Sequence, residues 1–143
     1  MSGYMLFTFG NLISWKCAQQ TEVALSSGNA EYVALSEGAR EGLFFRNLWY
    51  KIYGEWQSIE LFCDNQTAIK NAESEQHHKR SKHINLKYHH IKDEVEKGEV
   101  KVTWIKSADN IADLMTKPVN KKVYQRLTKI LHNMDYSQRG CIK

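Results

Sequence analysis

The sequence predicts an α/β fold in which a mixed sheet is flanked by helices, and three stretches carry that expectation. Ile59, Leu61 and Cys63 alternate with Glu60, Phe62 and Asp64, the period of a half-buried strand, and the run breaks into Asn65-Gln66-Thr67-Ala68-Ile69, which has helical character. Val100, Val102 and Trp104 alternate with Lys101 and Thr103, and this second strand is reached through helical segments, so it is expected to lie parallel to the first. Tyr4 to Phe9 and Leu12 to Trp15 flank Gly10-Asn11, which reads as a β-hairpin with a two-residue turn.

Between the hairpin and the Ile59 strand, Ser26 or Ser27 can cap a helix from about Gly28 to Tyr50. Glu31 falls in its first turn, where an acid complements the helix dipole. The row through Glu31 continues as Ala34, Gly38 and Gly42, all small, although two glycines inside a helix cost about 1 kcal/mol each against alanine. Such a row lets a helix press closely on a sheet, and it would bring the Glu31 carboxylate to the sheet's edge.

Asp64 is expected at the C-terminal end of its strand, the end at which ligands gather in open α/β sheets. The acid there is either functional or a cap for the helix that follows, from about Gln66 to Ala72. Next comes a polar, basic segment from Glu73 to His83. Ile84, Tyr88, Ile91 and Val95 then space a third helix that Gly98 ends. After the second strand, Asp109 and Asp113 stand four residues apart and Pro118 stops the segment. Asn120 can cap a last helix with the apolar stripe Val123, Leu127, Ile130 and Leu131. Residues 1 to 134 are expected to form one domain, with a flexible tail over 135 to 143.

A length of 143 residues suits one domain with a real core, and a 42% hydrophobic, 25% charged composition is that of a globular chain rather than a disordered one. No apolar run approaches membrane-spanning length, and no secretory signal pattern opens the chain. Three cysteines without metal-type spacing (Cys17, Cys63 and Cys141) point to free thiols in a reducing, intracellular compartment. The net charge of +4 is mild, yet Lys79, Arg80, Lys82, Lys87 and five of the six histidines fall between His77 and His90, either a footprint for phosphates or a solvated helix entrance. No cysteine joins those histidines at a finger spacing, which disfavours zinc.

Carboxylates delivered by separate elements to one end of a sheet suit a divalent-metal phosphodiester site, because hard oxygen ligands bind Mg²⁺ or Mn²⁺ and leave positions for water and phosphate. The strings Ile13-Ser14-Trp15-Lys16, Val23-Ala24-Leu25-Ser26-Ser27 with Ala30-Glu31-Tyr32, Cys63-Asp64-Asn65-Gln66-Thr67-Ala68, Arg80-Ser81-Lys82-His83-Ile84, and Ala112-Asp113 with Thr116-Lys117-Pro118 closely resemble the ribonuclease H domain of copia-type retrotransposon Pol polyproteins. They occur in that family's order from Ser2 to about Met134.

The resemblance implies a five-stranded mixed sheet with flanking helices, and hydrolysis of the RNA strand of an RNA/DNA hybrid with two Mg²⁺ (or Mn²⁺) held by four acids. It assigns catalytic and metal-binding roles to Glu31, Asp64 and Asp113, with Asp109 the second choice for the last acid. It places Arg80, Lys82 and His83 along the hybrid, where they would contact phosphates without reading bases, and Asn110 where it orients substrate or a metal-bound water. The implied partners are the hybrid and the reverse transcriptase portion of the same polyprotein, with no membrane. The implied location is the cytoplasm, in the virus-like particle of the intact element.

The family's first strand, which carries an Asp-x-Asp pair, would precede Ser2-Gly3-Tyr4, and residues 1 to 21 contain no Asp or Glu. The expectation is therefore an N-terminally truncated domain without its central first strand. Its sheet would be marginally stable or would pair its open edges with another chain, and its cleavage would be slow or absent. Two functions follow, an impaired ribonuclease H and a non-catalytic remnant that binds nucleic acid or a partner protein; a fragment with no function is the third reading.

Overall fold

The computed structural model describes residues 1–19, 27–73 and 82–132. In chain order these form β1 (Ser2–Thr8), β2 (Asn11–Ala18), α1 (Ser27–Tyr53), β3 (Ile59–Cys63), α2 (Gln66–Glu73), α3 (Lys82–Glu96), β4 (Val100–Trp104), a 3-10 turn (Ser107–Asp109), α4 (Asp113–Thr116) and α5 (Lys121–His132). The α/β class and the order of elements are those expected. The tail over 135 to 143 lies outside the described residues.

The strands form two separate two-stranded sheets, not one mixed sheet: β1 pairs antiparallel with β2, and β3 pairs parallel with β4 from Ile59↔Val100 to Cys63↔Trp104. β1 and β3 stand on opposite sides of an open cleft, which is why the single sheet does not form among these residues. The hairpin turn sits one residue earlier than its sequence suggests. Thr8 pairs with Asn11, and Phe9 and Gly10 both take positive φ (48° and 77°), the geometry of a two-residue turn that follows strand twist. Phe9 tolerates that conformation with its ring against Trp49, centroids 5.0 Å apart, while Asn11 Nδ2 donates to its carbonyl.

Helix α1 joins the two sheets. Its small-residue row meets both of them: a Cβ at Gly38 would lie 3.6 Å from Tyr4 Cβ, and one at Gly42 would lie 3.2 Å from two carbons of the fully buried Ile59. Tyr4 beside Gly38 and Phe9 beside Trp49 show β1 running parallel to α1. Ile59 beside Gly42 and Asp64 beside Glu31 show β3 running antiparallel to it. β1 and β3 are therefore antiparallel to each other across the cleft. The core packs Tyr32, Leu35, Ala39 and Leu43 of α1 on Leu6, Ile59, Leu61, Val100 and Val102, with Ala68, Ile69 and Ile91 of α2 and α3 closing the far side.

Local signals hold elsewhere. Gly98, at φ 74°, ends α3 as expected, with its N–H and that of Glu99 donating to the carbonyls of Val95 and Glu94. Asn120 caps α5 through its side chain, which accepts from the Val123 N–H at 2.9 Å, and Leu127 of the apolar stripe is fully buried. α4 is tied to the hairpin by Cys17, whose thiol donates to the Met115 carbonyl at 2.9 Å. No helix among the described residues is long and apolar enough to cross a membrane.

Candidate metal and nuclease site

Asp64 follows directly on the last residue of β3 because the period-2 run buries Ile59, Leu61 and Cys63 on α1 and leaves the next residue at the open end. It does not cap α2. That role belongs to Asn65, whose Oδ1 accepts the N–H groups of Thr67 at 3.0 Å and Ala68 at 3.1 Å, so the Asp64 carboxylate is free of the capping duty its position allowed. Glu31 sits one residue beyond the first turn of α1, not within it, since the helix begins at Ser27.

The geometry brings Glu31, Cys63 and Asp64 together: one ligating atom from each lies within 4.8 Å of the others. Glu31 is an exposed residue, yet its carboxyl group is partly withdrawn from water. That desolvation, followed by the charges of Asp64 and Asp113, raises its pKa above the ordinary value, against the opposing charges of Lys117 and the amino terminus. The buried Cys63 thiol is pushed up to about 11, mainly by loss of solvent, so it is protonated at neutral pH.

Asp113 joins this electrostatic group through its effect on Glu31, but its carboxylate already has a cation. Lys117 Nζ lies 2.7 Å from Asp113 Oδ2, one turn along the chain, and that hydrogen bond is the main reason the lysine's pKa rises, with Asp64 and Glu31 adding to it. Asp109 is differently engaged: it lines the same cleft but pairs with Arg126 of α5. Asn110 Oδ1 accepts the Ala112 N–H at 3.2 Å and shapes the loop that leads into α4. Lys82 and His83 open α3, though their side chains, like the whole of Arg80, lie outside the described residues.

Two participants escaped the sequence reading. Cys63 is on the same strand face as Ile59 and Leu61, so alternation marked it as core, and only its position beside Asp64 hinted at the site. Lys117 stands four residues after Asp113, a spacing at which helical side chains meet, and that signal was readable.

Chemically, two carboxylates from different elements could hold a hard cation, which would offset both the desolvation and the Asp64 repulsion that raise the Glu31 pKa. The fit is good for Glu31 and Asp64. Asp113 lies outside the group of ligand atoms that meet within 4.8 Å, and its Oδ2 is paired with Lys117.

Over 125 residues, 87% of its length, the chain is 35% identical to the retrovirus-related Pol polyprotein from transposon TNT 1-94 of Nicotiana tabacum. The Pol polyproteins from transposons RE2 and RE1 of Arabidopsis thaliana are each 29% identical to it, over 129 and 125 residues. The chain is homologous to retrovirus-related Pol polyproteins of plant transposons. It spans 9% of the length of the tobacco polyprotein and 9% and 8% of the two Arabidopsis ones. No family model matches the chain, and no solved structure matches it.

Proposed function

We propose that this chain is the ribonuclease H portion of a copia-type retrotransposon Pol polyprotein, and that its site hydrolyses the RNA strand of an RNA/DNA hybrid. The observation that carries this reading is the meeting of Glu31 from α1 with Asp64 from the end of β3, within reach of the Asp113 charge. Homology to transposon Pol polyproteins supports the biological setting.

In this reading Glu31 and Asp64 hold divalent cations, and Asp113, whose Oδ2 pairs with Lys117, completes the set. Mg²⁺, or Mn²⁺ in its place, would when bound activate the attacking water and stabilise the leaving oxygen. Asn110, whose Oδ1 is taken by Ala112, offers its amide nitrogen to the substrate backbone. Arg80, Lys82 and His83 contact phosphates at the α3 entrance, which suits an enzyme that cuts any sequence. The reverse transcriptase portion of the same polyprotein is the working partner, and the cytoplasmic virus-like particle of the parent element is the place of action.

A second reading, a non-catalytic remnant that binds nucleic acid or a partner, is favoured by one observation: Lys117, a cation, already pairs with Asp113 Oδ2. Cleavage of a labelled RNA/DNA hybrid in Mg²⁺ and then Mn²⁺, compared with Asp64→Asn, separates the two. Cleavage lost in the variant supports the nuclease. No cleavage, with hybrid affinity that falls in the double variant Arg80→Ala and Lys82→Ala, supports the binder.

A further inference from the structure

The second half of α1 turns an apolar row to solvent. Glu41, Phe44, Leu48 and Lys51 follow one another at steps of 3, 4 and 3, which sets them in one line on the side of the helix away from the buried Ala39, Leu43 and Arg46. Phe44 is 61% exposed and Leu48 44%, and Ile52, one turn beyond Leu48 at the flank of the row, is 62% exposed. A groove of about 170 Å³ between α1 and the hairpin, whose walls include Ile13, Leu48, Trp49 and Ile52, continues this apolar surface to one side. Single exposed apolar residues are ordinary, but a contiguous run of them rimmed by charges marks a contact surface.

Two properties of the row select its partner. Its 3-4-3 spacing reads the same in both directions, and its two ends carry opposite charges. Two such helices laid parallel would set Glu41 against the partner's Glu41 and Lys51 against the partner's Lys51. Laid antiparallel about a twofold axis, they set Glu41 against the partner's Lys51 at both ends and Phe44 against the partner's Leu48 between them, which is the pairing of an antiparallel coiled-coil seam. Ser14 Oγ donates to Glu41 Oε1 at 3.2 Å and so steadies the carboxylate at one end, while Lys51 at the other end is exposed. The surface is therefore complementary to itself in one orientation and repels itself in the other.

We propose that this face of α1 docks a second copy of this chain, the two helices packing antiparallel through Phe44 and Leu48 with a Glu41–Lys51 pair closing each end. The seam is separate from the candidate metal site, since Glu41 stands ~15 Å along the helix axis from Glu31. The inference rests on the seam alone and not on catalysis.

The test is sedimentation velocity of the full chain from about 10 μM to about 1 mM, the affinity range of small interfaces. The parent is expected to show a monomer–dimer equilibrium. Leu48→Glu, a change at an exposed position, should weaken association at least about tenfold by placing a charge in the apolar seam. Glu41→Lys and Lys51→Glu each put like charges at both ends of the seam, and each should weaken self-association by about tenfold. Mixed together, these two variants face each other with opposite charges at both ends, so the mixture should form the dimer that neither forms alone. Circular dichroism melts establish that each variant is folded, and recovery on mixing is a result that damage to the fold would not give.

The proposal is overturned if the parent sediments as a monomer throughout, if Leu48→Glu associates as strongly as the parent, or if the mixture of folded charge variants recovers no dimer. A monomeric parent that instead binds the reverse transcriptase portion of the polyprotein, and loses that binding on Leu48→Glu, would give this face to another partner and overturn the proposal equally. None of these readouts depends on hybrid cleavage, so a chain that dimerises but cuts nothing would sink the nuclease reading and leave this one standing.

Discussion

A carboxylate oxygen of Glu31, on the second turn of α1, and one of Asp64, just past β3, lie within 4.8 Å of each other, although 33 positions separate them in sequence. Partial loss of solvent and the Asp64 charge, with Asp113 behind them, raise the Glu31 pKa. The sign of the consequence follows from linkage. An acid with a raised pKa in the folded state favours folding most below its unfolded value of 4.5, and that contribution is lost as pH rises toward the folded value. Glu31→Gln should therefore melt at a higher temperature than the parent at pH 7 in chelator, with the difference vanishing near pH 4. Thermal melts across that range check it.

The two glycines of α1 should respond differently to the same change. Alanine at Gly38 meets Tyr4 at ordinary contact distance and gains helix propensity, so Gly38→Ala is expected to stabilise by about 0.5–1 kcal/mol. At Gly42 the added methyl would press on Ile59, which is fully buried and cannot easily move, and an overpacking cost of about 1–3 kcal/mol outweighs the gain. Denaturant unfolding of both variants should place them on opposite sides of the parent.

Arg46 clamps the far half of α1 to the β3–β4 sheet. Its buried guanidinium pairs with Glu99 just before β4, and Trp56 stacks on it, 4.0 Å from the ring centroid, while its indole N–H donates to the same carboxylate. Removing Arg46 leaves the half-buried Glu99 carboxylate without its cation and takes away the surface on which Trp56 stacks, so Arg46→Ala should cost about 1–3 kcal/mol. Urea titration measures this, and a change under 1 kcal/mol would contradict the clamp.

The site was legible where local rules govern and illegible where tertiary packing does. Alternation over Ile59–Cys63 placed Asp64 at a strand end, and the Ala34, Gly38, Gly42 row placed Glu31 near it, because both follow from chain periodicity. The assignment of the α2 cap was not legible, since Asp64 and Asn65 are equally good capping types and only backbone geometry chose Asn65. The cations that pair with Asp109 and Asp113 were not equally legible: Lys117 stands one turn from its partner, whereas Arg126 comes from a different element. The gap between the sheets was expected from the family resemblance, whereas its antiparallel walls emerge only from the contacts of α1.

Thiol chemistry offers an independent check on the site's interior. Cys17 is exposed, while Cys63 is buried and its thiol stays protonated at neutral pH. Iodoacetamide at pH 7.5 should modify Cys17 long before Cys63, as judged by mass spectrometry of the two peptides. Comparable rates at both would mean that the end of β3 opens to solvent in the native state.

Two-metal chemistry at this site requires that Glu31 and Asp64 together hold a divalent cation. Titration of the chain with Mn²⁺, followed by electron paramagnetic resonance of the free ion, reads this directly, with Glu31→Gln and Asp64→Asn alongside. The expected result is saturable binding by the parent that Mg²⁺ displaces and that each substitution weakens at least about tenfold, roughly the loss of one charged ligand. Binding of equal strength in all three proteins would contradict the assignment and remove the basis for two-metal chemistry at this site.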